Sequence, residues 1–265
     1  MKIPFTKMHG IGNDFIIIDQ LKNQYRLNSE IIKSLSHRKF GIGFDQLLII
    51  ESSLNPEAEF KYRIFNADGN EVEQCGNGAR CFYRYIKNKN ISDSSKITVE
   101  TKSGLIILSE PTKNLISVDM GKPIFHNKIS ELFTSVSIGN PHAVLEALAQ
   151  GDEWEGAIEL SKEIQANNVL FPDGVNVGMI KVVDENNLKL KVLERGSGIT
   201  LACGSGACAA SAVAILKGLV KTPVTVEMDG GNLIIDWDGL NSIIMSGPAE
   251  IVFEGEFNLS VDQRI

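Results

Sequence analysis

Two short stretches could do chemistry: Cys75-Gly76-Asn77-Gly78-Ala79 and Cys203-Gly204-Ser205-Gly206-Ala207. The chain has four cysteines, and it spends two of them on nearly the same glycine-rich turn. In each case a stretch of helical periodicity follows, so each cysteine is predicted to lie just before a helix start. Unpaired N–H groups and the positive end of the helix dipole collect there. A thiolate at such a place is stabilised, and its pKa is expected to fall below the usual ~8.5. The amides of Gly76, Asn77, Gly204 and Ser205 could also cradle a ligand carboxylate, because glycine permits close backbone approach. Two such turns facing each other would set one thiol on either side of a bound carbon. That is the layout for taking a proton from one face and returning one to the other.

Other uses of these residues fit less well. Cys81 and Cys208 lie one turn into their helices and read as inert, buried small hydrophobes. The spacings Cys-x5-Cys and Cys-x4-Cys are not those of a zinc site, and His9, His37, His126 and His142 form no close ligand pair, so no metal is expected. The Cys-x-x-Cys of dithiol redox chemistry is absent. Neither turn carries the lysine of a phosphate-binding loop.

The elements that must hold these turns are themselves duplicated. "YRIFNADGNEVEQCGNGA" (62–79) lies over "LKVLERGSGITLACGSGA" (190–207) at an offset of 128, and "ITVETKSGLIIL" (97–108) over "VTVEMDGGNLII" (224–235) at 127. "IGN" (11–13) recurs at 138–140, and "MGKP" (120–123) resembles "MSGP" (245–248). Matches in one order at nearly one offset indicate an internal duplication, with a period far too long for a solenoid. "EFKYRIFN" and "LKLKVLER" alternate as half-buried strands. "ACAASAVAILKG" is apolar almost all round, a helix that must be enclosed on every side, and it ends at the stop signal Gly218. Asp229-Gly230-Gly231 marks a hairpin. The expected fold is α+β: two similar domains related by a pseudo-twofold axis, each a mostly antiparallel sheet wrapped around a central helix. The joint is placed near Gly121-Lys122-Pro123, giving halves of 1–122 and 123–253.

Composition narrows the partners. The 265 residues carry a net charge of −7 with no basic stripe, which disfavours nucleic acid and anionic membrane. Residues 196–216 carry no charge, yet eight of the 21 are Gly, Ser or Thr, which suits a loop and buried helix better than a membrane span. "MKIPFTKMHGIGNDF" shows no apolar signal region, so a cytoplasmic location with reduced thiols is expected.

The blocks "FTKMHGIGNDFIIID", "GIGFDQLL", "FNADGNEVEQCGNGARC", "GNPHAV", "DGVNVGM", "ERGSGITLACGSGACAA" and "SGPAEIVFEG" together resemble the diaminopimelate epimerases, PLP-independent two-cysteine enzymes of lysine and peptidoglycan-precursor synthesis. The resemblance runs almost end to end. It implies Cys75 and Cys203 as the two bases, without cofactor or metal. It implies that backbone at Gly76, Asn77, Gly204 and Ser205 holds the reacting carboxylate. Asn13, Gln46, Asn66, Asn140, Asn176, Glu194 and Arg195 would recognise the distal amino-acid head, and His142 and Glu194 would help set the thiol pKa values. It implies an active site in the cleft between the domains, a last strand (about 254–265) that returns to the first domain, and a homodimer. Ile199 and Phe253 depart from the family pattern, which usually has a polar residue and a tyrosine there. Two rival readings are a related isomerase acting on proline or hydroxyproline and a non-catalytic binding protein. The first lacks a use for Arg195 with Asn66 and Asn176, and the second lacks a use for two matched cysteines.

Overall fold

A computed structural model describes residues 1–73, 75–126, 130–146 and 154–259. The fold is α+β, mostly strand, with four helices among the described residues. The chain divides into two compact units, Met1–Val118 with the segment from Gly247, and Asp119–Ser246. The sequence reading placed these boundaries at 122 and 253. The first moves because Met120 N–H already bonds Ile243 O and Ile243 N–H bonds Gly121 O, which ties this stretch to the second unit. The second moves because the returning strand starts at Glu250 rather than about 254.

In the first unit β1 (Lys2–Gly10) and β2 (Asn13–Asp19) are antiparallel. Helix α1 (Ser29–Ser36) crosses to β3 (Gln46–Ser52), which runs parallel to β2. β4 (Phe60–Asn66) is antiparallel to β3, and β5 (Glu71–Val72) folds back on β4. Helix α2 (Gly76–Asn88) then leads to β6 (Lys96–Thr101), parallel to β4, followed by β7 (Gly104–Thr112) and β8 (Leu115–Asp119) as an antiparallel meander.

The second unit repeats this order step for step. β9 (Ile124–Phe125), β10 (Thr134–Ser137) and β11 (Pro141–Glu146) are antiparallel. Helix α3 (Glu155–Gln165) precedes β12 (Asn176–Asp184), parallel to β11. β13 (Asn187–Glu194) and β14 (Gly198–Thr200) follow antiparallel. Helix α4 (Gly204–Leu216) leads to β15 (Val224–Met228), parallel to β13, and on to β16 (Gly231–Asp236) and β17 (Ile244–Gly247). Finally β18 (Glu250–Asn258) pairs antiparallel with β1, the place that β9 takes against β10.

The central strands of each unit are covered on both faces, which explains apolar runs too continuous for a one-sided strand. In β2, Phe15 to Ile18 are all buried. Ile16 and Ile18 pack with Leu47, Ile49 and Phe65 against Ile31 and Ile32 of α1, while α2 lies against β1, β2 and β3. In the second unit Ala143, Leu145, Val177 and Met179 meet Ile164 of α3, and α4 lies against β10 to β13. Helix α4 is buried from Gly206 to Ala214, and its Ala, Gly, Ser and Cys side chains let the strands approach closely. It stops where expected: Gly218 adopts φ +70°, and Gly218 and Leu219 N–H close on Ile215 and Ala214 carbonyls. The hairpin also stands, as a two-residue turn between Met228 and Gly231. None of the described helices is long and apolar enough to cross a membrane.

Candidate active site

Both cysteines are the N-caps of their helices, in extended backbone conformation, Cys75 on α2 and Cys203 on α4. A strand ends before each turn, with Asn66 closing β4 and Glu194 closing β13. A strand pair of the same topology also feeds each turn from the other side: Asn13 opens β2 and Gln46 opens β3, while Asn140 precedes β11 and Asn176 opens β12. Asn13 and Asn140, Gln46 and Asn176, and Asn66 and Glu194 therefore fall in matched pairs on the same topological positions of the two units.

Around Cys75 the sulfur accepts Gly78 N–H at 3.4 Å, and its S–H faces Asn13 Oδ1 at 3.9 Å. Asn77, buried in the first turn, donates Nδ2 to the same Asn13 oxygen at 3.3 Å. Asn13 spends its own Nδ2 on Asp45 Oδ2 at 2.9 Å. Asp45 is in turn held by Arg38, which also grips Asp14 through two N–H groups. Gln46 and Asn66 face each other in register and join through Gln46 Nε2 and Asn66 Oδ1 at 2.9 Å. Gly78 is required by packing, since a Cβ there would lie 2.3 Å from Tyr62 Oη.

Around Cys203 the partners differ. The buried sulfur sits 3.8 Å from Ser205 Oγ. Ser205 Oγ and Asn140 Oδ1 each lie 3.0 Å from Nε2 of His142, whose ring is completely buried. Glu194 accepts from the hydroxyl of Thr200. Asn176 Oδ1 takes Arg195 N–H at 2.9 Å, and the exposed Arg195 guanidinium reaches the Asp173 carbonyl. Ile199 is exposed on β14, paired in register with Leu193. Gly174, at φ +77°, has no room for a Cβ because Arg195 Cδ would lie 2.6 Å away.

One electrostatic expectation needs correction. A helix N-terminus was expected to lower the thiol pKa, but burial pushes Cys203 well above its ordinary value and the neighbouring Glu194 charge pushes the same way. The Gly206 amide and the Ser205 hydroxyl pull downward without winning. The resemblance gives His142 a part in setting the thiol pKa values. Burial lowers its pKa to about 3, so the ring is neutral and acts only as a hydrogen-bonding group. Cys81 and Cys208 are buried, and burial raises the Cys81 thiol far out of the reactive range, in keeping with an inert role. Among the described residues no group of three or more His, Cys, Asp or Glu side chains is placed to hold a metal ion.

A family profile for diaminopimelate epimerase matches residues 5–126 and 134–252. The chain is 43% identical to a diaminopimelate epimerase of Aromatoleum aromaticum, over 98% of this chain and 100% of that protein. It is 44% identical to one of an Azoarcus species over the same shares. It belongs to the diaminopimelate epimerase family. Solved structures carry the fold further than the sequence does. A Bacillus anthracis phenazine biosynthesis protein of the PhzF family superposes with a TM-score of 0.76 at 15% identity, covering 98% of this chain and 100% of that one. A hydroxyproline epimerase of Agrobacterium vitis gives 0.73 at 12%, covering 97% and 91%.

For this family member, sequence reasoning passed over four residues that support the site. Arg80, 0% exposed, donates Nη1 to Asn77 Oδ1 at 3.0 Å and Nε to the Pro248 carbonyl at 3.1 Å. Asp45 fixes Asn13, Thr200 fixes Glu194, and Tyr62 closes over Gly78. Arg80 had a signal: a charge on the face that α2 turns into the core, a place where cations almost never lie without a task.

Proposed function

We propose that this isomerase interconverts LL- and meso-diaminopimelate by a two-base thiol mechanism, without PLP or metal, supplying lysine and peptidoglycan-precursor synthesis. The observation that carries the reading is the duplicated turn, with a cysteine as N-cap at the same topological position of each unit. In this scheme Cys75 and Cys203 flank the α-carbon from opposite faces in the cleft between the domains. One thiolate removes the α-proton, and the opposite thiol delivers its own to the other face. The negative charge that spreads onto the α-carboxylate is met by first-turn amides at Gly76, Asn77, Gly204 and Ser205, whose partial positive charge is already oriented. The neighbouring carboxyl and amino groups of the distal centre are assigned to Asn13, Gln46, Asn66, Asn140, Asn176, Glu194 and Arg195. High resting pKa at Cys203 suits an acid that holds its proton until a carbanion forms.

A cytoplasmic location and a homodimer belong to the same proposal. The contact surface would include β18, where Phe253 is 47% exposed and packs edge-on against Phe5 at 5.9 Å. The activity test is to incubate the purified protein with LL-diaminopimelate, then separate the isomers. Appearance of the meso isomer, unaffected by chelator and without added PLP, supports the reading. No isomer formed, or activity only after PLP or zinc is supplied, overturns it.

A further inference from the structure

We infer that the side-chain hydroxyl of Ser205 is a positioning group for Cys203, aimed at the sulfur by His142. The inference deepens the two-thiol reading and rests on it for its catalytic meaning.

The argument begins with the imidazole. His142 is completely buried and neutral, so it carries one N–H. Its Nδ1 is buried with no hydrogen-bond partner among the described residues, while Nε2 has two oxygens at 3.0 Å. A proton on Nδ1 would bury an orphan donor and turn a bare nitrogen lone pair toward the Asn140 carbonyl oxygen. A proton on Nε2 leaves only an orphan acceptor, the smaller penalty of the two. The N–H therefore sits on Nε2, shared between Asn140 Oδ1 and Ser205 Oγ. Because Ser205 accepts from His142, its own hydrogen must point elsewhere. Among the described residues the remaining polar partner of Ser205 Oγ is Cys203 Sγ at 3.8 Å. The chain of donors thus runs from His142 through Ser205 to the sulfur, and it favours the thiolate.

The charged group near the sulfur is Glu194, at the end of β13, which favours the thiol. Cys203 is thereby held between a group that retains the proton and one that accepts its loss, as a residue that alternates between acid and base requires. The first unit has no counterpart. The strand position of His142, in register with Asn176 at the start of β12, is occupied there by Phe15, in register with Gln46.

The test uses that template. Iodoacetamide labelling at fixed pH 8.5, with the Cys203 peptide quantified by mass spectrometry apart from the Cys75 peptide, reads the thiolate without any substrate. Ser205→Ala is expected to slow Cys203 labelling about 3- to 10-fold. Ser205→Thr, which keeps the hydroxyl, should restore most of the rate. His142→Phe copies the packing of the first unit and should slow labelling to a similar extent, with the double variant no slower than Ser205→Ala alone. If Ser205 merely fills space, its truncation opens the sulfur and the rate holds or rises, which overturns the inference. An unchanged rate in His142→Phe, or additive losses in the double variant, overturns the part assigned to His142. Should His142→Phe fail to fold, the Ala and Thr variants at 205 decide the hydroxyl's role. Failure of the substrate reading is separate: it shows as absent epimerisation with the labelling pattern intact.

Discussion

The two units share an order of strands and helices and differ in what they place around the thiol. In the first, Cys75 sits in an amide network, with Asn13 and Asn77 locked by Asp45 and by a buried Arg80. In the second, Cys203 sits among a carboxylate, a hydroxyl and a neutral imidazole. The matching helix position to Arg80 is Cys208, so the buried cation belongs to one unit alone. Duplication thus preserves the scaffold that aims a sulfur along a helix start, while each side chain around it is free to diverge. The difference fits the proposed mechanism, in which two thiols would need like backbone placement and unlike electrostatics.

The harshest way to break the comparison is to remove a thiol. Cys75→Ala and Cys203→Ala should each lower kcat/KM for epimerisation by at least ~10³-fold, in both directions, since each direction needs one base and one acid. Steady-state assays from either isomer check this, and a variant retaining a tenth of wild-type efficiency would show that its cysteine is not a base.

A smaller effect follows from Glu194. Its charge is one cause of the high Cys203 pKa, so Glu194→Gln removes an upward push and the thiolate fraction at pH 8.5 should rise, by about 3- to 10-fold in labelling rate at Cys203. Labelling at Cys75 is expected to change by much less. Equal acceleration at both cysteines would point to general loosening instead.

Packing differs between the units as well. A Cβ at Gly78 meets Tyr62 Oη at 2.3 Å, whereas one at Gly206 meets Val192 Cγ2 at 2.9 Å and Cys203 Sγ at 3.1 Å. Gly78→Ala should cost about 2–3 kcal/mol in chemical denaturation, because the buried Tyr62 ring, tilted against Phe82 with centroids 5.1 Å apart, has nowhere to retreat. Gly206→Ala should cost about 1 kcal/mol, with a larger loss of activity than of stability because it presses on the sulfur. A reversed order of stabilities would contradict the packing account.

The last effect is a pH slope. His142 titrates near 3 in the folded protein and near 6.5 when unfolded, so the unfolded chain binds more protons between those values. Its contribution to stability is complete above about 6.5 and is lost as pH falls toward 3. Between pH 6 and 4 the slope of unfolding free energy should be steeper in the wild type than in His142→Phe by up to ~1.4 kcal/mol per pH unit. Parallel slopes would place a charged, not a neutral, imidazole in the second unit.

Much of this was legible before any coordinates. The offset between Cys75 and Cys203, the alternation in "EFKYRIFN" and the all-apolar "ACAASAVAILKG" reported the duplication, the strands and the enclosed helix, because spacing and periodicity are local properties. The environment of each thiol was not legible. Whether a helix end lowers a pKa depends on burial and on neighbours brought in from other elements, and at Cys203 burial and Glu194 at the end of β13 win. The protonation state of His142 was not legible either, because its residue type titrates near neutrality and only complete burial holds the ring neutral. The unit boundaries moved because backbone hydrogen bonds at Met120 and Gly121 outrank the turn signal of Gly121-Lys122-Pro123.

The central claim, two bases working from opposite faces, is tested most directly by isotope transfer. The enzyme is incubated with LL-diaminopimelate in D₂O, and the α-position of substrate and product is read by mass spectrometry early in the reaction. The account predicts deuterium in the meso product and almost none in the remaining LL isomer. The opposite thiol delivers solvent-derived deuterium, while a carbanion that collapses backwards recovers its own proton from the thiol that took it. Product that keeps the substrate proton, or label that enters substrate and product alike from the first turnover, would contradict it.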